Sequence, residues 1–414
     1  MNPTLHPATN TGDLAWVLVA SSLIMLMTPA VGLFYGGMVH RKNLLSTLML
    51  SFAALMLITL QWVLFGYSLS FGPDINHWIG SLEWFGLEHV GAKPNPSYAT
   101  NLPHAAFMLF QMKFAIIAPA LISGALVERV RFSTYLLFIL LWSTVVYAPM
   151  AHWVWAEGGW LREMGALDFA GGTVIHITAG VGALAAALAI RPRKGFGTVN
   201  TEPNSVPLTL LGAILLWFGW FGFNGGSALA ANGTAVHAII TTNVAAAAAA
   251  LTWMTLSSWK GRPSVIGVAT GTVVGLVAIT PACGYVTVPA SILIGMIAAV
   301  VSYYCIRLRY WLKVDETLDV WACHGMAGTW GAIATGLFAS SSVNPAATNG
   351  LIYGNANLLW AQVVSVVVAW VYAFGVTYGL VWLLNRFRRF TVQAAEEEVG
   401  LDISQHGEEA FAIL

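Results

Sequence analysis

The sequence predicts an all-α integral membrane protein of eleven transmembrane helices, an inverted five-helix repeat plus one helix. The N-terminus is predicted outside and the C-terminus cytoplasmic. Three observations carry this. The composition is 57% hydrophobic and only 9% charged, where a soluble domain carries about 25% charged residues. Apolar runs of spanning length recur along the whole chain. Lysine and arginine collect after every second run.

So few charges cannot coat a water-soluble globule of 414 residues. The 41 glycines and 18 tryptophans fit a helical membrane protein, because glycine lets helices approach and tryptophan settles at the lipid interface. The formal net charge is zero, and nothing resembles a basic nucleic-acid surface. Cys283, Cys305 and Cys323 are an odd number in apolar surroundings. They read as free thiols, not as a disulfide frame or a metal site. The opening MNPTLHPATNTGDLAW lacks the basic region and short apolar core of a cleavable signal, so the first apolar run is expected to be the first span.

A spanning helix needs roughly 20 mostly apolar residues. Eleven runs qualify, at about 14–35, 44–70, 104–127, 134–155, 171–190, 207–228, 237–258, 264–281, 288–307, 319–339 and 358–384. The breaks between them are short and carry charges, Pro or Gly. Arg41, Lys42, Arg129, Arg131, Arg191, Arg193, Lys194, Lys260, Arg262, Arg307, Arg309, Lys313, Arg386, Arg388 and Arg389 all follow odd-numbered spans. Only Lys93 and Arg162 follow even-numbered ones. Basic residues mark the cytoplasmic side, which sets the predicted orientation. Two five-span units in series have opposite topology, the arithmetic of an inverted repeat.

Two histidines fall in the final spans of the two halves. His176 sits in DFAGGTVIHITAGVGAL and His324 in DVWACHGMAGTWGAI. An ionisable group in lipid is costly and is by default a functional signal. Gly172, His176 and Gly180 share one helix face, as do His324, Gly328, Ala332 and Gly336. Such faces pack closely and turn both imidazoles into a tight seam. A buried imidazole is driven toward its neutral form, which suits lining for a small hydrogen-bonding solute. The alternative is a satisfied interhelical hydrogen bond. A zinc site is not expected, since no further ligand stands at metal spacing.

Asp168 precedes Gly171 and Gly172. It reads both as an N-cap and as a fixed negative charge beside an outer mouth. Asp319 is expected to cap span ten in a structural role. Aromatics gather near the predicted outer ends: Phe107, Phe110 and Phe114 in span three, Trp153 and Trp155 ending span four, Phe221 and Phe223 with Ser227 ending span six. Interfacial aromatics mostly face headgroups. An aromatic face also attracts a cation by roughly 0.5–2 kcal/mol. A serine hydroxyl beside it adds hydrogen-bond direction, which ammonium satisfies and potassium does not.

The stretches GLFYGGMVHRKN, FQMKFA, GALVERVRFS, YAPMAHWVW, ALDFAGGTVIH, LWFGWFGFNGGSAL, ITPACGYV and LDVWACHGMAGTWGAI together resemble the Amt/Mep/Rh ammonium transporter family, on its Amt branch. The resemblance runs from span one to the tail. It implies a multi-pass cell-membrane protein, a homotrimer with one pore per subunit and no cofactor, and not an enzyme. Residues 1–385 would form the membrane domain and 386–414 a cytoplasmic regulatory tail. By matching position, Trp155, Phe114, Ser227 and the neighbouring Phe110 look like the outer ammonium site. Phe114 and Phe223 look like a stacked gate, His176 and His324 like paired pore histidines, and Asp168 like the stabilising acid. Thr280 would line the pore lower down, with Trp217 a neighbour. Lys113 departs from a cation-binding wall and is expected to face elsewhere. The tail, with VGLDISQHGEEAF, resembles one that couples subunits and assists a PII-type regulatory protein at the cytoplasmic mouth.

The implied mechanism is recruitment of ammonium, loss of its proton at a hydrophobic gate, passage of ammonia along the histidines, and separate proton passage. Three rivals stand beside it. A cation channel would need a carbonyl filter or a carboxylate ring, and neither TVGYG nor such a ring is present. A sensor with little flux would carry the same site. An intramembrane enzyme would need a nucleophile at the histidines. Cys323 adjoins His324 but lies about 100° around the helix, so it is not expected on the pore face.

Overall fold

The computed structural model describes residues 6–198, 202–259 and 261–411. Residues 1–5, 199–201 and 412–414 lie outside the described residues, as does Lys260 from the basic alternation.

Each of the eleven apolar runs forms a helix. They are α1 (Thr11–Met38), α2 (Arg41–Phe71), α3 (His104–Leu126), α4 (132–155), α5 (Gly172–Ala189), α6 (Val206–Gly225), α7 (Gly233–Ser258), α8 (Val265–Ile279), α9 (Val288–Trp311), α10 (321–338) and α11 (Ala356–Phe387). Among the described residues, nine are long and apolar enough to cross a membrane. The other two are α8, with only 15 residues, and α10, whose apolar character is diluted by His, Thr and Gly. Both are packed inside the bundle; Val274, Leu276, Val277 and Ile279 of α8 are fully buried.

The helix starts are legible in the sequence. Asn10, Ser205, Asn232, Ser264, Thr287 and Asn355 each accept first-turn N–H groups through a side-chain oxygen, satisfying donors that have no intrahelical partner. Several helices carry a turn of π-helix. In α5 it spans Gly172–Ile177, in α6 Phe221–Gly225 and in α10 Trp321–Met326. Each holds a residue of the candidate site, a frequent coincidence for π-turns.

The bundle has two distinct ends. The tail face gathers the α1–α2, α3–α4, α5–α6 and α9–α10 connections. Over them the chain beyond α11 folds back, through a bridge between Val130 and Thr391 and a short helix, α12 (Ala394–Val399). Phe390, Val392 and Leu401 of this segment are buried. Lys42 Nζ donates to the carbonyls of Glu397 and Glu398 at 3.0 and 2.7 Å. Asp402 accepts from the N–H groups of Leu45 and Ser46 at the start of α2. The opposite, far face carries a two-stranded hairpin, Asp74–Ile75 against Ile79–Gly80, in the α2–α3 connection.

The tail-face connections are knitted by charge. Glu128 accepts from His40 N at 2.8 Å, lies 2.6 Å from His40 Nδ1 and pairs with Arg193 at 2.6 Å. Asp315 takes both Arg193, at 2.8 Å, and the fully buried Arg129, at 3.0 Å. Burying these charges is tolerable because every one is paired and hydrogen-bonded. Burial alone would raise the Glu128 carboxyl, but His40 and Arg193 overcome it and hold it down at about 2. His40 is raised in turn by its bond to Glu128, against partial burial and the nearby Lys42 and Arg193.

Candidate functional site

Two cavities approach each other along the bundle axis. One opens on the far face, with a volume of about 320 Å³, and its walls include Phe110, Phe114, Trp155, Asp168 and Ser227. The other opens on the tail face, with a volume of about 1380 Å³, and reaches His324. A column of rings fills the space between. Phe110 meets Phe114 edge-on at 4.9 Å, and Phe114 meets Phe223 at 4.6 Å and 72°. Phe223 lies nearly parallel to His176 at 5.8 Å, and His176 to His324 at 5.3 Å. Phe223 and His176 are buried.

The histidine pair is a consequence of close helix packing. A Cβ on Gly180 would lie 2.0 Å from the backbone N of Gly325, and one on Gly328 would lie 3.2 Å from His176 Cβ. Only glycine lets α5 and α10 come this near, as their shared small-residue faces predict. The rings then face each other Nδ1 to Nδ1 at 3.2 Å. One nitrogen must carry the hydrogen and the other the lone pair. His176 Nε2 is buried with no hydrogen-bond partner among the described residues. An orphaned polar atom of this kind costs about 1–3 kcal/mol unless water or another small molecule meets it.

Asp168 is the far-side anchor. Its carboxylate accepts four backbone N–H groups at 2.7–3.0 Å, from Gly171, Gly172, Thr173 and Val174. Its own carbonyl accepts the Trp155 indole N–H at 2.8 Å. The N-cap reading is therefore realised, and the same residue fixes the Trp155 ring in the cavity wall. Trp155 stands 5.9 Å from Phe114. Ser227 donates its hydroxyl to the Phe223 carbonyl at 2.8 Å, so its oxygen lone pairs remain available to a donor.

Several expectations need correction. Asp319 does not cap α10. It pairs with Arg309 at 2.6 Å, and Glu316 accepts the N–H groups of Val320 and Trp321. Glu316 stands eight residues before His324, the spacing of Asp168 to His176, so that spacing was the readable signal. Cys323, expected off the pore face, is buried and stands beside His324 among the residues around the tail-side cavity. Thr280 lines neither cavity. It is fully buried and accepts the Trp220 indole N–H at 2.9 Å. Trp220 itself was missed: its ring lies parallel to His176 at 5.4 Å, and its position three residues before Phe223 places both on one helix face. Trp217 is absent from both walls, and Lys113, expected to face elsewhere, is absent from them too. Trp153 packs instead against Trp78, Trp160 and Tyr372.

Comparison with known proteins gives this arrangement a family. The model of the Ammonium Transporter Family matches residues 15–411. An ammonium transporter of Bacillus subtilis is 47% identical over 403 residues, covering 97% of this chain and 98% of that protein. Ammonium transporter Amt1 of Archaeoglobus fulgidus is 47% identical over 400 residues, covering 97% and 99%. Among solved structures, Candida albicans Mep2 superposes with a TM-score of 0.89 at 35% identity, covering 97% of this chain and 90% of that one. A sensor Amt protein superposes with a TM-score of 0.88 at 29% identity, covering 96% and 98%. By its sequence over nearly its whole length and by its fold, the chain belongs to the ammonium transporter family.

Proposed function

We propose that the protein moves ammonium across a membrane by recruiting the ion at the far-side cavity, deprotonating it, and passing ammonia along His176 and His324. The observation that carries this reading is the change of chemistry along one column. The far-side cavity offers aromatic faces and the Ser227 oxygen, which suit a cation with N–H donors. The next layer, Phe114 on Phe223, offers nothing to solvate an ion. Below it, imidazole nitrogens can exchange hydrogen bonds with a neutral donor–acceptor molecule. Asp168 would stabilise the ion from the cavity wall, and Thr280 would act by holding Trp220 against His176. The proton would travel apart from ammonia, making transport electrogenic.

The orientation and assembly are part of the proposal. The basic residues of the odd-numbered connections converge on the tail face, which supports a cytoplasmic tail face and an external far face. The matched π-turns, histidines and eight-residue acid spacing of α5 and α10 support eleven spans built as an inverted repeat plus one. Family membership supports a homotrimer, and the docking of residues 390–405 against the α1–α2, α3–α4 and α5–α6 connections supports a regulatory tail with a PII-type partner beneath it.

A second reading, an ammonium sensor with little flux, has a specific motive: one matched structure is a sensor Amt protein. Flux decides between them. Purified protein in liposomes should take up ammonium well above empty liposomes. Ligand binding without uptake would leave the sensor. Replacing both histidines by leucine should cut uptake or its selectivity. Undiminished and still selective uptake would remove them from the pathway.

A further inference from the structure

The α3 wall of the far-side cavity contains one polar residue that the proposed mechanism leaves unused. Phe107, Phe110, Gln111 and Phe114 all line that cavity, and their spacing puts them on one helix face. Three are phenylalanines; Gln111 is an amide among them. It is 8% exposed. Its oxygen is buried and has no hydrogen-bond partner, and neither end of its amide bonds to any described residue. Other buried amides in the bundle have at least one end engaged: Asn224 and Gln61 leave their oxygens without a partner but donate to Thr242 at 2.8 Å and to Thr144 at 3.3 Å, and Gln362 both donates and accepts across three segments. A buried acceptor left empty costs about 1–3 kcal/mol. Such a group persists where a ligand fills it.

We propose that Gln111 is a specificity-determining residue of the far-side site, its amide oxygen accepting a hydrogen bond from an N–H cation. The inference rests on the reading of that cavity as an ammonium site. No hydrogen bond from the described residues restrains the amide, so rotation about its terminal bond presents the oxygen to the cavity. With Ser227 it supplies two directional acceptors between aromatic faces. Two acceptors satisfy two N–H bonds of ammonium. They fall far short of the six or more oxygens that a dehydrated alkali cation of potassium's size takes. The site therefore favours a cation that donates hydrogen bonds, and favours it twice.

The test is ammonium uptake kinetics of Gln111→Met, which keeps the length and shape but removes the acceptor, in liposomes. The expected result is a KM raised roughly tenfold, equivalent to about 1.4 kcal/mol, with the maximal rate within about twofold of wild type. Competition by potassium should be unchanged, so the discrimination between the two ions narrows. A merely structural role would lower the maximal rate or the yield of assembled protein and leave KM in place. An unchanged KM in a transporting wild-type background overturns the inference alone. A wild type that takes up no ammonium overturns the functional reading and this inference with it. Should the Met variant fail to assemble, Gln111→Asn carries the test, since withdrawing the amide by one methylene should also raise KM, and an unchanged value would equally refute the role.

Discussion

The histidine seam and the tail-face clamp solve opposite problems. The seam holds two titratable rings together with almost no charge around them. Glycines at 180 and 328 do the work, by letting backbones touch. The clamp holds four connections together with almost nothing but charge, through Glu128, Arg193, Asp315 and Arg129. Shape positions the groups proposed to meet the solute; ion pairs position the groups that frame the tail-face vestibule. The difference teaches where each kind of substitution should act. Volume added to the seam should stop conduction, whereas charge removed from the clamp should first cost stability.

The largest effect is expected from Gly180→Val. Its Cβ would fall 2.0 Å from a backbone nitrogen of α10, and backbone cannot yield as a flexible side chain does. Ammonium uptake should fall to background while size-exclusion profiles still show assembled protein. Glu128→Ala comes next. Removing one partner of a buried, paired network costs roughly 3–5 kcal/mol, so thermal unfolding in detergent should drop by several degrees with uptake reduced less than in the glycine variant. A variant that kept its unfolding temperature would break the contrast between the regions. Asp168→Asn follows. It retains one acceptor for the α5 cap but loses the charge, and a cap is worth about 1 kcal/mol. A modest fall in unfolding temperature together with a higher KM is expected, and a change in only one would separate its two roles.

The smallest effect sharpens the clamp's chemistry. His40 is raised above the ordinary histidine value by Glu128. Its contribution is therefore fully present below about 6.5, the unperturbed value, and is lost as pH rises through its own higher value. Glu128, held at about 2, contributes above the ordinary carboxylate range and is lost only as pH falls toward 2. The unfolding temperature should thus decline between near-neutral and alkaline pH, and His40→Gln should flatten that slope. Because the His40 ring is 40% exposed, solvent screening keeps the effect small.

Much of this was legible in the sequence, for identifiable reasons. Apolar length is written locally, so a helix stands at each of the eleven runs, nine of them long and apolar enough to cross a membrane among the described residues. His176 and His324 stood out because an ionisable group in an apolar run is conspicuous. Trp155, Phe114 and Ser227 were found through family-like motifs and do share one cavity. What escaped depends on pairing across sequence. Glu316 takes the cap that Asp319 was expected to make, since Arg309 claims Asp319. Trp220 was not singled out among the aromatics of its run; only its ring meeting His176 marks it. Gln111 is unremarkable as a letter; only its want of a partner marks it. The clamp joins residues more than a hundred positions apart, such as Arg193 and Asp315, and no local spacing encodes that.

The central claim is that a charged solute is recruited and a neutral one conducted, with the proton moving separately. Ammonium-evoked current in reconstituted liposomes, recorded against pH on a solid-supported membrane, tests it most directly. The account predicts a transient, ammonium-specific current that persists across the pH range in which ammonium dominates, and that shrinks when both histidines are replaced by leucine. Ammonium uptake with no accompanying current would contradict separate proton passage and leave a channel for neutral ammonia.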